Sequence, residues 1–156
     1  MILFQTEEIN FKLKNKALLK LWISDTIVRK KCKTGDITFV FCSDDFLLNI
    51  NKKYLNHTTY TDIITFDYSK ETGDPLPHSK KPTRISGDIF ISIDRVKENA
   101  ATFSKTCENE LHRVIIHGTL HLLGYTDKTK TAKEQMTRQE NICLKRLDAF
   151  SRRKDL

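Results

Sequence analysis

The chain has 156 residues, a length that suits one domain around a single core. Lys plus Arg number 27 against 20 Asp plus Glu, a net charge of +7, which favours contact with polyanions such as nucleic acid but proves nothing alone. No apolar run approaches the roughly 20 residues that a membrane-spanning helix needs. The N-terminal MILFQTEEINF lacks the basic-then-apolar pattern of a signal peptide. Cys32, Cys42, Cys107 and Cys143 show no CxxC or close pairing, so reduced, packed thiols in a cytoplasmic protein are expected rather than a disulfide framework.

In chain order, residues 2–4 and 9–13 read as short extended pieces. From Asn15, which can cap, Leu18, Leu19, Trp22, Ile23, Thr26 and Ile27 recur at helical spacing. Lys30, Lys31 and Lys33 suit the C-terminal end of that helix, and Gly35 and Asp36 read as the turn after it. ITFVFC, residues 37–42, is a buried strand by its β-branched and aromatic content. Ser43 and the two aspartates after it open a helix with Phe46, Leu47, Ile50 and Tyr54 on one face. TDIITFDY, residues 61–68, is a second strand. Residues 69–84 hold Gly73 and all three prolines and read as a long loop. GDIFISI, residues 87–93, is a third strand, with Asp94 placed to cap the helix over 95–105.

A further helix is predicted over 108–123. Thr131 and Glu134 form a TxxE capping box for a last one, whose apolar side is Met136, Cys143, Leu144, Leu147 and Phe150. Strands and helices mixed first, then helices alone, predict an α+β domain with one small sheet backed by helices. Residues 151–156, SRRKDL, are expected to be a flexible tail.

The chemistry concentrates in HGTLHLLGYTDK, residues 117–128. Positions four apart on a helix differ by roughly 40°, so His117 and His121 share a face. Such a pair can offer two imidazole nitrogens to zinc, which needs a third ligand to be held well. Gly124 can take the left-handed conformation that ends helices. A reversal there can bring Asp127 back to the same point. Two imidazoles and a carboxylate leave a fourth position for water, the layout of a catalytic zinc site rather than a closed structural one. The H-E-x-x-H zinc proteases carry a water-activating glutamate after the first histidine; here that position is Gly118, which disfavours a protease. His112, five residues before His117, points about 140° away and reads as a packing or surface residue. His57 and His78 sit in polar segments with no evident partner.

This segment closely resembles the signature H-G-x-L-H-L-x-G-Y-D-H of the YbeY family, bacterial metal-dependent endoribonucleases of ribosomal RNA maturation. Upstream, YTDIITFDY and SGDIFIS are similar to that family's strand segments, with order and spacing agreeing from about Asn49 to Met136. The resemblance implies a small mixed, mostly parallel sheet surrounded by helices, with the metal site on a helix and its following turn. It places the first two family histidines on His117 and His121 and the third on Asp127, a carboxylate where the family has an imidazole. It also places Leu55 where the family typically carries an arginine after a tyrosine, here Tyr54; Lys52 and Lys53 lie close to that gap.

The expectation is therefore a single-domain zinc-dependent endoribonuclease over 1–156 that cleaves single-stranded RNA. His117, His121 and Asp127 hold one Zn2+, other divalent transition metals being compatible with the same donors. The catalytic group is unknown beyond the metal-bound water. Arg113 is the first candidate RNA-binding residue, with Lys52, Lys53 and Arg84 weaker ones, and Tyr60 and Tyr125 could stack on bases. The partners implied are ribosomal RNA and the small ribosomal subunit, with no membrane and no DNA. The competing reading is a non-catalytic ribosome-biogenesis factor that binds RNA or ribosomal protein around a structural metal.

Overall fold

A computed structural model describes residues 1–69 and 82–154. The described residues form four strands, β1 (Ile2–Glu7), β2 (Lys33–Cys42), β3 (Ile63–Asp67) and β4 (Arg84–Ser92). Five helices accompany them: α1 (Lys16–Arg29), α2 (Asp44–Leu55), α3 (Ile93–Thr102), α4 (Cys107–Leu122) and α5 (Lys130–Lys154). The strands make one sheet in the order β1-β2-β4-β3. β1 and β4 both run parallel to β2, and β3 runs antiparallel to β4. This is the α+β class and the mixed, mostly parallel sheet expected.

Parallel strands are covered on both faces, which is why the paired C-terminal halves of β2 and β4, Phe39–Cys42 and Ile89–Ile91, are continuous apolar runs. On one face Ile37, Phe39, Phe41, Ile89 and Ile91 join Trp22 and Ile23 of α1, Ile115 of α4 and Met136 of α5 in the main core. On the other, Cys42, Ile64, Phe66 and Phe90 meet Phe46, Leu47 and Ile50 of α2. Burying a side chain of this size contributes roughly 1.5–3 kcal/mol, so the α1/α4/α5 face carries most of the hydrophobic stabilisation. No helix among the described residues is long and apolar enough to cross a membrane.

Several local expectations are corrected. Gly35 and Asp36 lie inside β2 rather than in a turn; the register of β2 on β4 shifts between Thr34 and Ile37, and that irregularity absorbs them. A Cβ on Gly35 would stand 2.7 Å from Arg84 Cγ, so this glycine answers the close approach of β4. Residues 9–13 form no strand; Ile9, Phe11 and Leu13 pack on the core as irregular chain. Asn15 precedes α1 at φ 59° and makes no side-chain cap. Ser92, not Asp94, caps α3, its hydroxyl accepting from Arg95 N at 3.2 Å. Asp94 instead accepts from Asp44 N at 2.8 Å, tying α3 to α2. Thr129, not Thr131, caps α5, accepting from Ala132 N at 3.1 Å. The Ser43 cap of α2 forms as expected, accepting from Phe46 N at 3.1 Å.

α5 continues as helix through residues 151–154, the first part of the expected tail; Asp155 and Leu156 lie outside the described residues. So does most of the expected long loop, residues 70–81, with His78 in it.

One packing contact sets the height of the histidine helix. A Cβ on Gly118 would stand 2.8 Å from Ile89 Cγ2 and 2.9 Å from Ile63 Cδ1. α4 therefore rests on β3 and β4 at a residue without a side chain. The position that holds a glutamate in H-E-x-x-H enzymes here faces the sheet.

Candidate metal centre

α4 is a well-specified helix. Thr106 caps it, accepting from Asn109 N at 3.0 Å, and Glu108 and Glu110 stand in the first turn, where carboxylates suit the helix dipole. Its end is a Schellman-type reversal: Gly124 N donates to His121 O and Tyr125 N to Leu120 O, each at 3.0 Å. Gly124 sits at φ 101°, and a Cβ there would meet nothing within 4 Å. It is glycine for its backbone conformation, not for lack of room.

The reversal brings the chain back as the spacing predicts. His117 Nε2 and His121 Nε2 lie 2.9 Å apart. Asp127 Oδ2 lies 3.4 Å from the first and 3.7 Å from the second. A tetrahedral ion with bonds of roughly 2.0–2.1 Å has ligand-to-ligand edges of about 3.3–3.4 Å. The three donor atoms thus span close to one face of such a tetrahedron, and together they form a group that could hold a metal ion.

The remaining ring nitrogens decide which atoms are offered. His117 Nδ1 is 2.7 Å from Glu140 Oε2, and His121 Nδ1 is 3.0 Å from the carbonyl of Tyr125. Both partners are acceptors, so each ring carries its proton on Nδ1 and turns an Nε2 lone pair inward. Two such lone pairs 2.9 Å apart repel; a cation or a shared proton relieves them. The donor set and its tautomers therefore fit a divalent ion.

The two histidines differ in charge environment. Desolvation lowers the proton affinity of His117, but the hydrogen bond and charge of Glu140, with Asp127 and Asp62, outweigh it and hold the ring above its ordinary value. Burial and the adjacent His117 push His121 below its own. Burial also raises Glu110, against the pull of Arg113.

Glu140 was not among the candidates read from sequence. It is 6% exposed, and its second oxygen accepts from Arg113 Nη1 at 2.8 Å. The signal for it was a charge inside the apolar stripe of α5, four residues after Met136 and three before Cys143. Arg113, read as an RNA contact, also donates from Nη2 to Asn141 Oδ1 at 2.8 Å, so both terminal nitrogens of its guanidinium are engaged.

The other candidates lie elsewhere. Lys52 and Lys53 are exposed in the last turn of α2, with Lys53 Nζ 5.2 Å above the Tyr54 ring. Tyr54, Leu55 and Tyr60 are exposed, and the Arg95 guanidinium lies 4.9 Å from the Tyr60 ring centre. This segment ends at Asp62, close enough for its charge to act on His117 and Glu110. Tyr125 packs on the main core. His112 meets Trp22 edge-on at 6.2 Å, a packing role. His57 and Arg84 are exposed.

Comparison with known proteins bears on this arrangement. A family model described as Endoribonuclease YbeY matches residues 1–148. A protein named Endoribonuclease YbeY from Cytophaga hutchinsonii is 43% identical over 143 residues, covering 92% of this chain and 93% of that one. One of the same name from Phocaeicola vulgatus is 44% identical over 144 residues, covering 92% and 96%. Among solved structures, the solution structure of TM1509 from Thermotoga maritima superposes with a TM-score of 0.61 at 25% identity, over 99% of this chain and 93% of that one.

Proposed function

Because the chain belongs to the YbeY family of endoribonucleases, we propose that it is a zinc-dependent endoribonuclease that cuts single-stranded stretches of ribosomal RNA during maturation in the cytoplasm. The observation that carries the metal dependence is the convergence of His117, His121 and Asp127, with both Nδ1 atoms already occupied by acceptors. A zinc ion held by these three would act as a Lewis acid toward a phosphoryl oxygen at neutral pH. Other divalent transition metals suit the same donors. A carboxylate in place of a third imidazole adds a negative charge and makes the ion a weaker Lewis acid.

The protein's own groups bind and orient the RNA. Lys52 and Lys53 neutralise backbone phosphates as the strand approaches along the segment between α2 and β3. Tyr60, braced by Arg95, offers a ring face for a base; such stacking is worth roughly 1–3 kcal/mol per base. Arg113 acts through Glu140 rather than on RNA. The RNA partner is ribosomal, in the context of the small subunit.

A specific observation favours a second reading, in which the protein binds RNA as a biogenesis factor without cutting it. Leu55 is exposed where the family typically carries an arginine, and Arg113 is tied to Glu140 and Asn141. Incubation with a structured ribosomal RNA fragment, with and without chelator, separates the two. Cleavage lost with chelator and restored by zinc is expected. Cleavage indifferent to chelator would overturn the metal dependence, and tight binding without cleavage at any zinc level would establish the second reading.

A further inference from the structure

His117 and His121 enter the candidate metal centre on unequal terms. The Nδ1 of His121 faces a neutral backbone carbonyl, that of Tyr125, at 3.0 Å. The Nδ1 of His117 faces a carboxylate at 2.7 Å, the length of a charge-assisted hydrogen bond. That carboxylate, Glu140, comes from α5, 23 residues further along the chain. Its side chain is only 8% exposed. A buried carboxylate is costly unless its oxygens are satisfied. Here one oxygen accepts from the His117 ring and the other from Arg113 Nη1 at 2.8 Å. Arg113 is held in turn by Asn141, the residue after Glu140, at 2.8 Å. Arg113 and His117 lie one turn apart on α4, so a single carboxylate bridges two successive turns of one helix from the flank of another. Nothing in this arrangement lets Glu140 reach the shared donor face, since the imidazole stands between.

We propose that Glu140 is the positioning residue of the metal centre. Clamped by Arg113, it keeps His117 as the Nδ1–H tautomer, fixes the plane of the ring, and makes Nε2 the more electron-rich of the two imidazole donors. The inference rests on reading His117, His121 and Asp127 as metal ligands. It adds that affinity for the ion is set in large part by a residue that never touches it. Partners in this position are generally worth about 10–100-fold in metal affinity. The bridge also has a structural consequence: it fastens α5 to α4 at the level of the site, so the ligand set and the helix packing are adjusted together.

The test uses zinc alone as the probe, on the full chain. Zinc affinity is measured by competition with a chromophoric chelator for the wild type, Glu140→Gln, Glu140→Ala and Arg113→Ala. The tautomer of His117 is read in the metal-free protein by long-range nitrogen–proton NMR correlation. Glu140→Gln keeps an acceptor for Nδ1–H but loses the charge, so a roughly 10-fold loss of affinity is expected with the Nδ1–H tautomer retained. Glu140→Ala should lose up to about 100-fold and let His117 populate both tautomers. Arg113→Ala, which frees the carboxylate without removing it, should fall between wild type and Glu140→Ala. Circular dichroism of the metal-free proteins separates these effects from misfolding, and if the alanine variant is unfolded the glutamine variant decides alone. A folded Glu140→Gln variant with wild-type zinc affinity would overturn the proposal, as would an Nε2–H tautomer at His117 in the wild type. If the wild type itself bound no zinc, the reading of the ligand set would fall first, and the two failures would not be confused.

Discussion

Two stretches of chain carry the polar groups of the proposed activity, and they are built in opposite ways. The reversal between α4 and α5 is closed: each imidazole is held on its far side by a designated acceptor, the glycine is dictated by φ 101°, and a buried carboxylate from α5 secures the frame. The stretch from Lys52 to Tyr60 is open, with exposed cations and rings whose contacts are loose pairings at 4.9 and 5.2 Å. A metal demands distances held to a few tenths of an ångström, whereas a phosphate backbone demands only charge within reach and a base only a flat surface. The closed region therefore leaves little room for a change of side chain, and the open one leaves more.

The contrast breaks most sharply at Asp127. Asp127→Ala should strip nearly all bound zinc, because two imidazoles alone hold it poorly; Asp127→His should retain it. Elemental analysis of purified protein is the check, and wild-type metal content in the alanine variant would sink the three-ligand reading. In the open region, Tyr60→Ala should weaken single-stranded RNA binding by roughly 1–3 kcal/mol with metal content unchanged, measured by fluorescence anisotropy. Lys52→Ala and Lys53→Ala should each cost less. Each should also flatten the dependence of log affinity on log salt by about 0.7, the slope that neutralising one single-strand phosphate supplies. If either lysine variant lost metal, the two regions would not be separable in the way described.

The smallest expected effect concerns His112, which belongs to neither stretch. Burial holds it below the ordinary histidine value, with Glu108 and Asp148 pulling the other way. The unfolded chain therefore takes up this proton at a higher pH than the folded one. Stability should begin to fall as pH drops through about 6.5, and the loss should level off below the depressed folded value. His112→Gln should make the decline of melting temperature between neutral and mildly acid pH shallower than in wild type, measured on metal-free protein by circular dichroism.

Much of the fold and the clustering of three site residues were legible in the sequence. Hydrophobic spacing located the strands around Phe39, Ile64 and Ile89 and the long helices, because burial of one face or both leaves a periodic trace. The convergence of His117, His121 and Asp127 was legible for a similar reason: with Gly124 they lie within one helix end, and local geometry converts their spacing into a common point. The caps were less legible, since Thr129 and Thr131, or Ser92 and Asp94, offer equivalent hydroxyls or carboxylates, and only the path of the incoming chain selects one. Gly35 looked like a turn because a glycine demanded by a neighbouring strand is written the same way as one demanded by φ. Glu140 was legible only as an anomaly, not as a member of the site. A carboxylate in an apolar stripe announces a partner but does not name it, and its partners, Arg113 and His117, are chosen by how α5 lies across α4. Spacing along a chain governs what one helix can present. Which groups stand behind it depends on packing between elements distant in sequence, and that follows from the whole core.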